Sequence, residues 1–149
     1  MFTVYVGMEG FMVDGGFTVK EMTMLYEPGT EFDHFLFSPP VGALNAVDQK
    51  TVNWTTRNLH RLHWTEGLVP YETLHGILDS ISNCIIVCHG HTTANYLAKM
   101  LPNALVQDTS KKFKLPREIP MAGCGRCHGG RHCSLAKAKY IRENFMAQE

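Results

Sequence analysis

Three cysteines and two histidines lie within ten residues, from Cys124 to Cys133, immediately before a helix-like pattern. Thiolates and imidazoles at this density suit a tetrahedral zinc ion better than other common metals. Glycines at positions 125, 129 and 130 let the backbone bend tightly enough for near neighbours to reach one metal. Free thiols and hydrogen-bonded histidines can also cluster without a metal, and that alternative stays open. The segment predicts a zinc site.

Three other interpretations of this segment are weaker. Residues 124–128, C-G-R-C-H, also match the attachment sequence of a c-type haem, which requires export, and the opening M-F-T-V-Y-V-G lacks a basic leader. A redox pair of Cys124 and Cys127 would lack the strand-to-helix placement that such pairs use. The spacing also does not match a zinc knuckle. We therefore expect a structural zinc.

Composition limits the type of protein. The chain has 149 residues and is 44% hydrophobic, which fits one domain covering residues 1–149 with a substantial core. Its apolar runs are shorter than a bilayer span, so we expect no membrane association and an intracellular location, cytoplasmic or nuclear. The five cysteines are an odd number, which favours free thiols over a disulfide framework.

Charge is uneven along the chain although the net charge is zero. Nine basic residues and one acidic residue lie between Lys111 and Arg142. A basic segment of this kind can follow a nucleic-acid backbone, or it can be a solvated surface with no partner. The candidate RNA-binding residues are Lys111, Lys112, Lys114, Arg117, Arg126 and Arg131.

Three strands are predicted in the first part of the chain. Residues 3–8 are rich in β-branched and aromatic side chains, and a turn follows at Asp14-Gly15-Gly16. Residues 17–26 alternate as a second strand, and a third starts at Phe32 and stops before Ser38-Pro39-Pro40. Tight turns between consecutive strands predict an antiparallel meander.

Helices and two further strands are predicted after this meander. Asn45 with Asp48 resembles a helix N-cap, and Pro70 is placed as the first residue of a second helix. Residues 84–88 form an apolar run typical of a buried parallel strand. Thr92 or Thr93 is expected to cap a third helix. Residues 104–107 suggest another short central strand, and a last helix follows the cysteine-rich segment. The result is an α/β fold whose mixed sheet has three antiparallel strands, then two parallel strands, with flanking helices and a zinc site.

Glu21 is unusual within the second predicted strand. Alternation places its carboxylate on one face with Phe17, Val19 and Leu25. A carboxylate among apolar side chains is costly unless it is paired or bound to a metal. If that face is exposed to solvent, no such partner is needed, and the sequence leaves both possibilities open.

The element order resembles the ribonuclease H-like fold and, within it, the DnaQ-like 3′–5′ exonucleases. Those enzymes carry four acidic residues and a histidine around two divalent metals. The matching positions of this chain hold Gly7, Glu9, Asn95, His132 and Lys137. Only Glu9 and His132 fit the pattern, so the resemblance implies that two-metal cleavage has been lost.

The chain is more similar to the Maelstrom-domain branch of that superfamily, in which a zinc site of Glu, Cys, His and Cys replaces the exonuclease acids. K-E-M-T-M-L supplies Glu21, the cysteine-rich segment resembles the family's C-x-x-H and C-A-L motifs, and C-I-I-V-C-H-G-H-T-T-A-N-Y-L extends the similarity. The resemblance implies zinc ligands at Glu21, Cys124, His128 and Cys133. Cys127 and His132 are alternates, because the spacing here is C-x-x-C-H.

The resemblance implies work on RNA, in the piRNA pathway or other small-RNA-guided silencing of transposons. The expected activity is binding of single-stranded RNA, with weak metal-independent endoribonuclease activity as a further expectation. Candidate catalytic residues are His89 and His91, which follow a predicted central strand, together with His132 and Glu9. The expected partner is RNA or a protein of a silencing complex. The alternative is a catalytically inactive protein-interaction domain.

Overall fold

The computed structural model of the protein describes residues 2–125 and 131–147. Within these residues five strands form one mixed sheet in the order β3-β2-β1-β4-β5. β1 pairs antiparallel with β2 and β2 with β3, whereas β4 runs parallel to β1 and β5 parallel to β4. The strands are β1 (Thr3–Val13), β2 (Gly16–Tyr26), β3 (Phe32–Leu36), β4 (Ile85–Cys88) and β5 (Leu105–Asp108).

Helices pack on both faces of the sheet. They are α1 (Ala46–Thr55), α2 (Leu74–Asp79), α3 (His91–Met100) and α4 (Ser134–Ala147). Apolar residues of α2 and α3 pack against one face of the sheet, which includes Val6 and Met22. Residues of α4, including Ile141, pack against Tyr5 and Leu25 on the opposite face. α1 continues into a single π-helical turn, Thr56–His60.

Most of the predicted architecture is confirmed. The first three strands are antiparallel, residues 84–88 contain the parallel strand β4, and a helix follows the cysteine-rich segment. Asn45 is the N-cap of α1, and its Oδ1 accepts the Asp48 backbone N–H at 2.7 Å. Among the described residues, no helix is long and apolar enough to cross a membrane.

Three predictions of local structure are wrong. The last strand, β5, lies at an edge of the sheet rather than in its centre, since only β4 pairs with it. Neither Thr92 nor Thr93 caps α3, because the helix already starts at His91 and its N-cap is Gly90, with φ of 113°. Pro70 precedes a short 3₁₀ turn, Tyr71–Thr73, instead of opening α2 directly.

A β-bulge corrects the predicted face of Glu21. Glu9 pairs with Glu21 but Gly10 pairs with Val19, so Lys20 has no partner on β1. Because one inserted residue reverses the alternation beyond it, Val19 packs with Met22 on the α2 and α3 face. Glu21 therefore shares the α4 face with Leu25, and not with Val19 or Phe17.

Asp108 connects the end of β5 to the start of α3. Its Oδ1 accepts the backbone N–H groups of Gly90 and Ser110, each at 2.9 Å. Burial raises the pKa of Asp108, but these two amides, together with the Ser110 side chain and His89, hold the pKa below its ordinary value of 3.8.

We expect Asp108→Asn to lower the melting temperature at pH 7 but not in strong acid. Because the folded pKa lies below the unfolded one, the carboxylate stabilises the fold above about pH 4, and this contribution is lost as the pH falls through the folded pKa. Thermal unfolding followed by circular dichroism between pH 7 and pH 2.5 measures the difference. Asp79→Asn, at an exposed position of α2, is the matched control. If the difference in melting temperature between Asp108→Asn and the wild type did not change with pH, the stabilising role of the Asp108 carboxylate would be contradicted.

Candidate metal centre and adjoining clefts

The start of α4 lies unusually close to the sheet. A Cβ atom on Gly7 would collide with the backbone carbonyl oxygen of Ser134. On the neighbouring strand, Thr23 pairs with Gly7, and its Oγ1 lies 2.8 Å from Ser134 Oγ. Glycine at position 7 is therefore needed for the helix to approach the centre of the sheet.

Glu21 lies beneath this helix start and is fully buried. Its Oε1 accepts the backbone N–H of Ser134 at 2.7 Å, at the positive end of the α4 dipole. Its Oε2 lies 3.0 Å from Nε2 of His34 and 3.4 Å from Sγ of Cys124. The carboxylate joins β2, β3, the loop before α4 and α4 itself.

Glu21, His34 and Cys124 could hold a metal ion. One ligand atom from each side chain lies within 4.8 Å of the other two. Ligand atoms of a tetrahedral zinc lie about 3.5 Å apart, since zinc bonds to them at about 2.0–2.3 Å. A carboxylate, an imidazole and a thiol are all zinc ligands, so the chemistry and the spacing both fit.

Cys133 is 5% exposed and belongs to a small apolar cluster against which Met121 and Cys124 also pack. The structure brings the predicted ligands Glu21 and Cys124 together, but Cys133 is not among the described side chains of the metal cluster. His128 and the alternate Cys127 lie outside the described residues.

Glu9, on β1, forms a second buried polar cluster. It contacts α4 at Lys137, one helical turn after Ser134. Its side chain accepts a hydrogen bond from the Lys137 ammonium, and its Oε1 lies 3.4 Å from Nδ1 of His132. Burial raises the pKa of Glu9, but the charges of Lys137 and His132 together hold it below its ordinary value of 4.5. The alternate ligand His132 therefore contacts Glu9 and is not part of the metal cluster.

A cleft of about 430 Å³ lies beside this ion pair. The candidate catalytic residues Glu9, His89, His91 and His132 all line it. His89 is engaged structurally, since its Nε2 lies 2.8 Å from the Phe113 carbonyl oxygen. Asn95 is exposed on α3 and is not among the described residues that line the cleft.

A second cleft of about 450 Å³ adjoins the first, and Leu59 and His132 line both. Arg117 and Arg131, predicted to bind RNA, line it together with Arg61. Of the other predicted RNA-binding residues, Lys111, Lys112 and Lys114 are exposed but do not line either cleft. The Lys112 ammonium lies 5.4 Å from the Phe145 ring centroid. Arg126 lies outside the described residues.

His34 is a site residue that the sequence did not predict. His34 reaches Glu21 because β3 pairs with β2, and Thr23 rather than Glu21 is its direct partner. Arg61 joins Arg117 and Arg131 through tertiary packing across more than fifty residues of sequence. The basic segment R-N-L-H-R-L-H-W already marks Arg61 as a candidate phosphate contact, whereas nothing in the spacing around His34 distinguishes that residue.

Comparisons of the chain with protein-family models, with curated proteins and with solved structures give no match.

Proposed function

We propose that this chain is a zinc-stabilised, exonuclease-derived domain of the ribonuclease H-like fold that binds single-stranded RNA. The sheet order β3-β2-β1-β4-β5 with an antiparallel β2 agrees with that fold. The metal cluster of Glu21, His34 and Cys124 supports a structural zinc, with Cys133 or His128 as the further ligand. Such an ion would join the first strands to the segment before α4.

The Glu9–Lys137 pair carries the functional part of this proposal. In the exonuclease resemblance both positions would hold acids, and their charges would bind two magnesium ions. Here the Lys137 ammonium neutralises Glu9 inside a cleft whose neighbour is lined with arginines. The arrangement disfavours divalent cations and favours a phosphate backbone. Magnesium or manganese should therefore not activate cleavage, and any weak endoribonuclease activity would depend on His91 or His132 instead.

Binding of labelled RNA tests the proposal. We expect the wild-type protein to bind a single-stranded oligonucleotide with an affinity that falls steeply as salt rises. The proposal also assigns phosphate contacts to the basic segment, so replacing Lys111, Lys112 and Lys114 by glutamine should weaken binding severalfold. Fluorescence anisotropy across a salt series measures both effects. Absence of binding by the wild type would reject the RNA-binding function.

The alternative is an inactive protein-interaction domain. Its support is the net charge of zero, since a protein without excess positive charge has little general attraction for a nucleic acid. It predicts no RNA affinity and a specific protein partner in pull-down experiments. The RNA titration therefore separates the two candidates.

A further inference from the structure

The π-helical turn after α1 ends in a strained residue. Arg61 has φ of 59° and ψ of 21°, a left-handed conformation that costs free energy for any residue with a Cβ atom. π turns and left-handed residues of this kind are often found at functional sites. The strain identifies the position but does not by itself identify a ligand.

Buried His60 holds this turn in place. Its ring is 1% exposed, and its Nε2 lies 3.0 Å from the Gly10 carbonyl oxygen at the bulge. Its Nδ1 accepts the Leu62 backbone N–H at 3.1 Å, and its ring packs edge-on against Phe11. The residues on both sides of Arg61 are thereby fixed to the sheet, and the strained backbone places Arg61 at the arginine-lined cleft.

The charge of this cleft is strongly positive. Arg61, Arg117 and Arg131 line it, and Glu118 is the single acidic residue among its described lining residues. All three arginines are exposed, so their guanidinium groups are available to a ligand. Three guanidinium groups around one concave surface suit the oxygens of phosphodiesters.

The adjoining cleft supplies an aromatic surface. Trp54 on α1 is 57% exposed and lines this cleft with Glu9 and Lys137. A large exposed indole beside a basic groove is the combination that holds unpaired bases and their backbone together. A duplex keeps its bases stacked internally and would not use such a surface.

We propose that Arg61, Arg117 and Arg131 bind consecutive phosphates of single-stranded RNA, and that Trp54 stacks against a base in the adjoining cleft. This inference rests on the proposed RNA binding. It assigns the main RNA contacts to the two clefts rather than to the lysines of residues 111–114. Arg61 and Trp54 are the new contacts.

The test compares three variants by anisotropy of a labelled oligouridine. Replacing Arg61, Arg117 and Arg131 together by glutamine should weaken binding at least tenfold. It should also reduce the slope of log affinity against log salt by about two, since each phosphate contact on a single strand contributes about 0.7. Arg57→Gln is the matched control, because Arg57 lies on the same π turn but lines a different groove. It should leave the affinity unchanged.

Trp54 offers an independent optical measurement. The chain has two tryptophans, and Trp64 packs edge-on against Phe11 with centroids 5.4 Å apart. RNA should quench the fluorescence of the wild type, Trp54→Phe should lose most of the quenching, and Trp54→Ala should also lose about tenfold in affinity. An RNA duplex should bind more weakly than the single-stranded RNA.

The outcomes distinguish this inference from the proposed function. If the Lys111, Lys112 and Lys114 variant loses binding while the arginine variant retains it, the cleft assignment is wrong and RNA binding stands. Equal quenching in the wild type and Trp54→Phe, or tighter binding of the duplex, would also overturn the assignment. If the wild type binds no RNA, both fail.

Discussion

The wild-type protein is expected to contain one zinc ion per chain, and Glu21→Ala is expected to lose it and about 3–5 kcal/mol of unfolding free energy. Glu21 is fully buried and holds the backbone N–H of Ser134 at 2.7 Å. Removing the carboxylate leaves that amide without this acceptor, at about 1–3 kcal/mol, and also removes a metal ligand and buried contacts. Elemental analysis and urea unfolding measure the two losses.

Glu21→Gln separates the metal from the hydrogen bond. The amide oxygen can still accept the Ser134 N–H, but the amide has no negative charge to bind zinc. With a chelator present, this variant should unfold within about 1 kcal/mol of the wild type, whereas zinc should stabilise only the wild type. Zinc at a hundredfold its dissociation constant adds about 2.7 kcal/mol.

Cysteine variants give the matched control for this prediction. Cys124→Ser should lower the zinc content, while Cys84→Ser, at a position outside the metal cluster, should not. His34→Asn should lower the zinc affinity as well. A wild-type protein that is folded and free of metal after expression with zinc would end the zinc proposal.

Lys137→Met is expected to be the most destabilising change outside the metal cluster. Glu9 is 6% exposed and the Lys137 ammonium is its nearest cation. Removing one member of a buried ion pair leaves an unneutralised charge, at about 3–5 kcal/mol. Urea unfolding at pH 7 measures this loss. The variant keeps most of the aliphatic side chain, so lost packing contributes little.

A second substitution tests the cause of that loss. Glu9→Gln combined with Lys137→Met removes both charges, and most of the lost stability should return. The defect of Lys137→Met alone should shrink as the pH falls toward 4. Without the ammonium, burial raises the pKa of Glu9, and protonation then removes the buried charge. A double variant as unstable as the single one would show that Lys137 acts through packing instead.

Much of the fold could be predicted from the sequence because its signals are local. The turn at Asp14-Gly15-Gly16 defines the first hairpin, and the apolar run of β4 is typical of a buried parallel strand. The edge position of β5 could not be predicted in this way, since strand order depends on where a crossover helix packs. The bulge at Lys20 also gave no local signal, although it decides which face Val19 occupies.

The candidate site was predictable where a residue's own chemistry or local density is unusual. The dense cysteine segment drew attention to Cys124 and Cys133, and the cost of burying a carboxylate drew attention to Glu21. His34 instead reaches Glu21 through the pairing of β3 with β2. Such a contact leaves no spacing in the sequence that chemistry alone can interpret.

The close approach of α4 to Gly7 has a consequence for how this domain could change. An aspartate at position 7 would need space that the Ser134 carbonyl already occupies, so α4 would have to move away from the sheet. Such a movement would break the hydrogen bond between Ser134 and Glu21 and disturb the metal cluster. The contact between Gly7 and Ser134 therefore excludes an aspartate at position 7 in the observed fold, and Gly7→Asp should be less stable than the wild type and bind zinc more weakly.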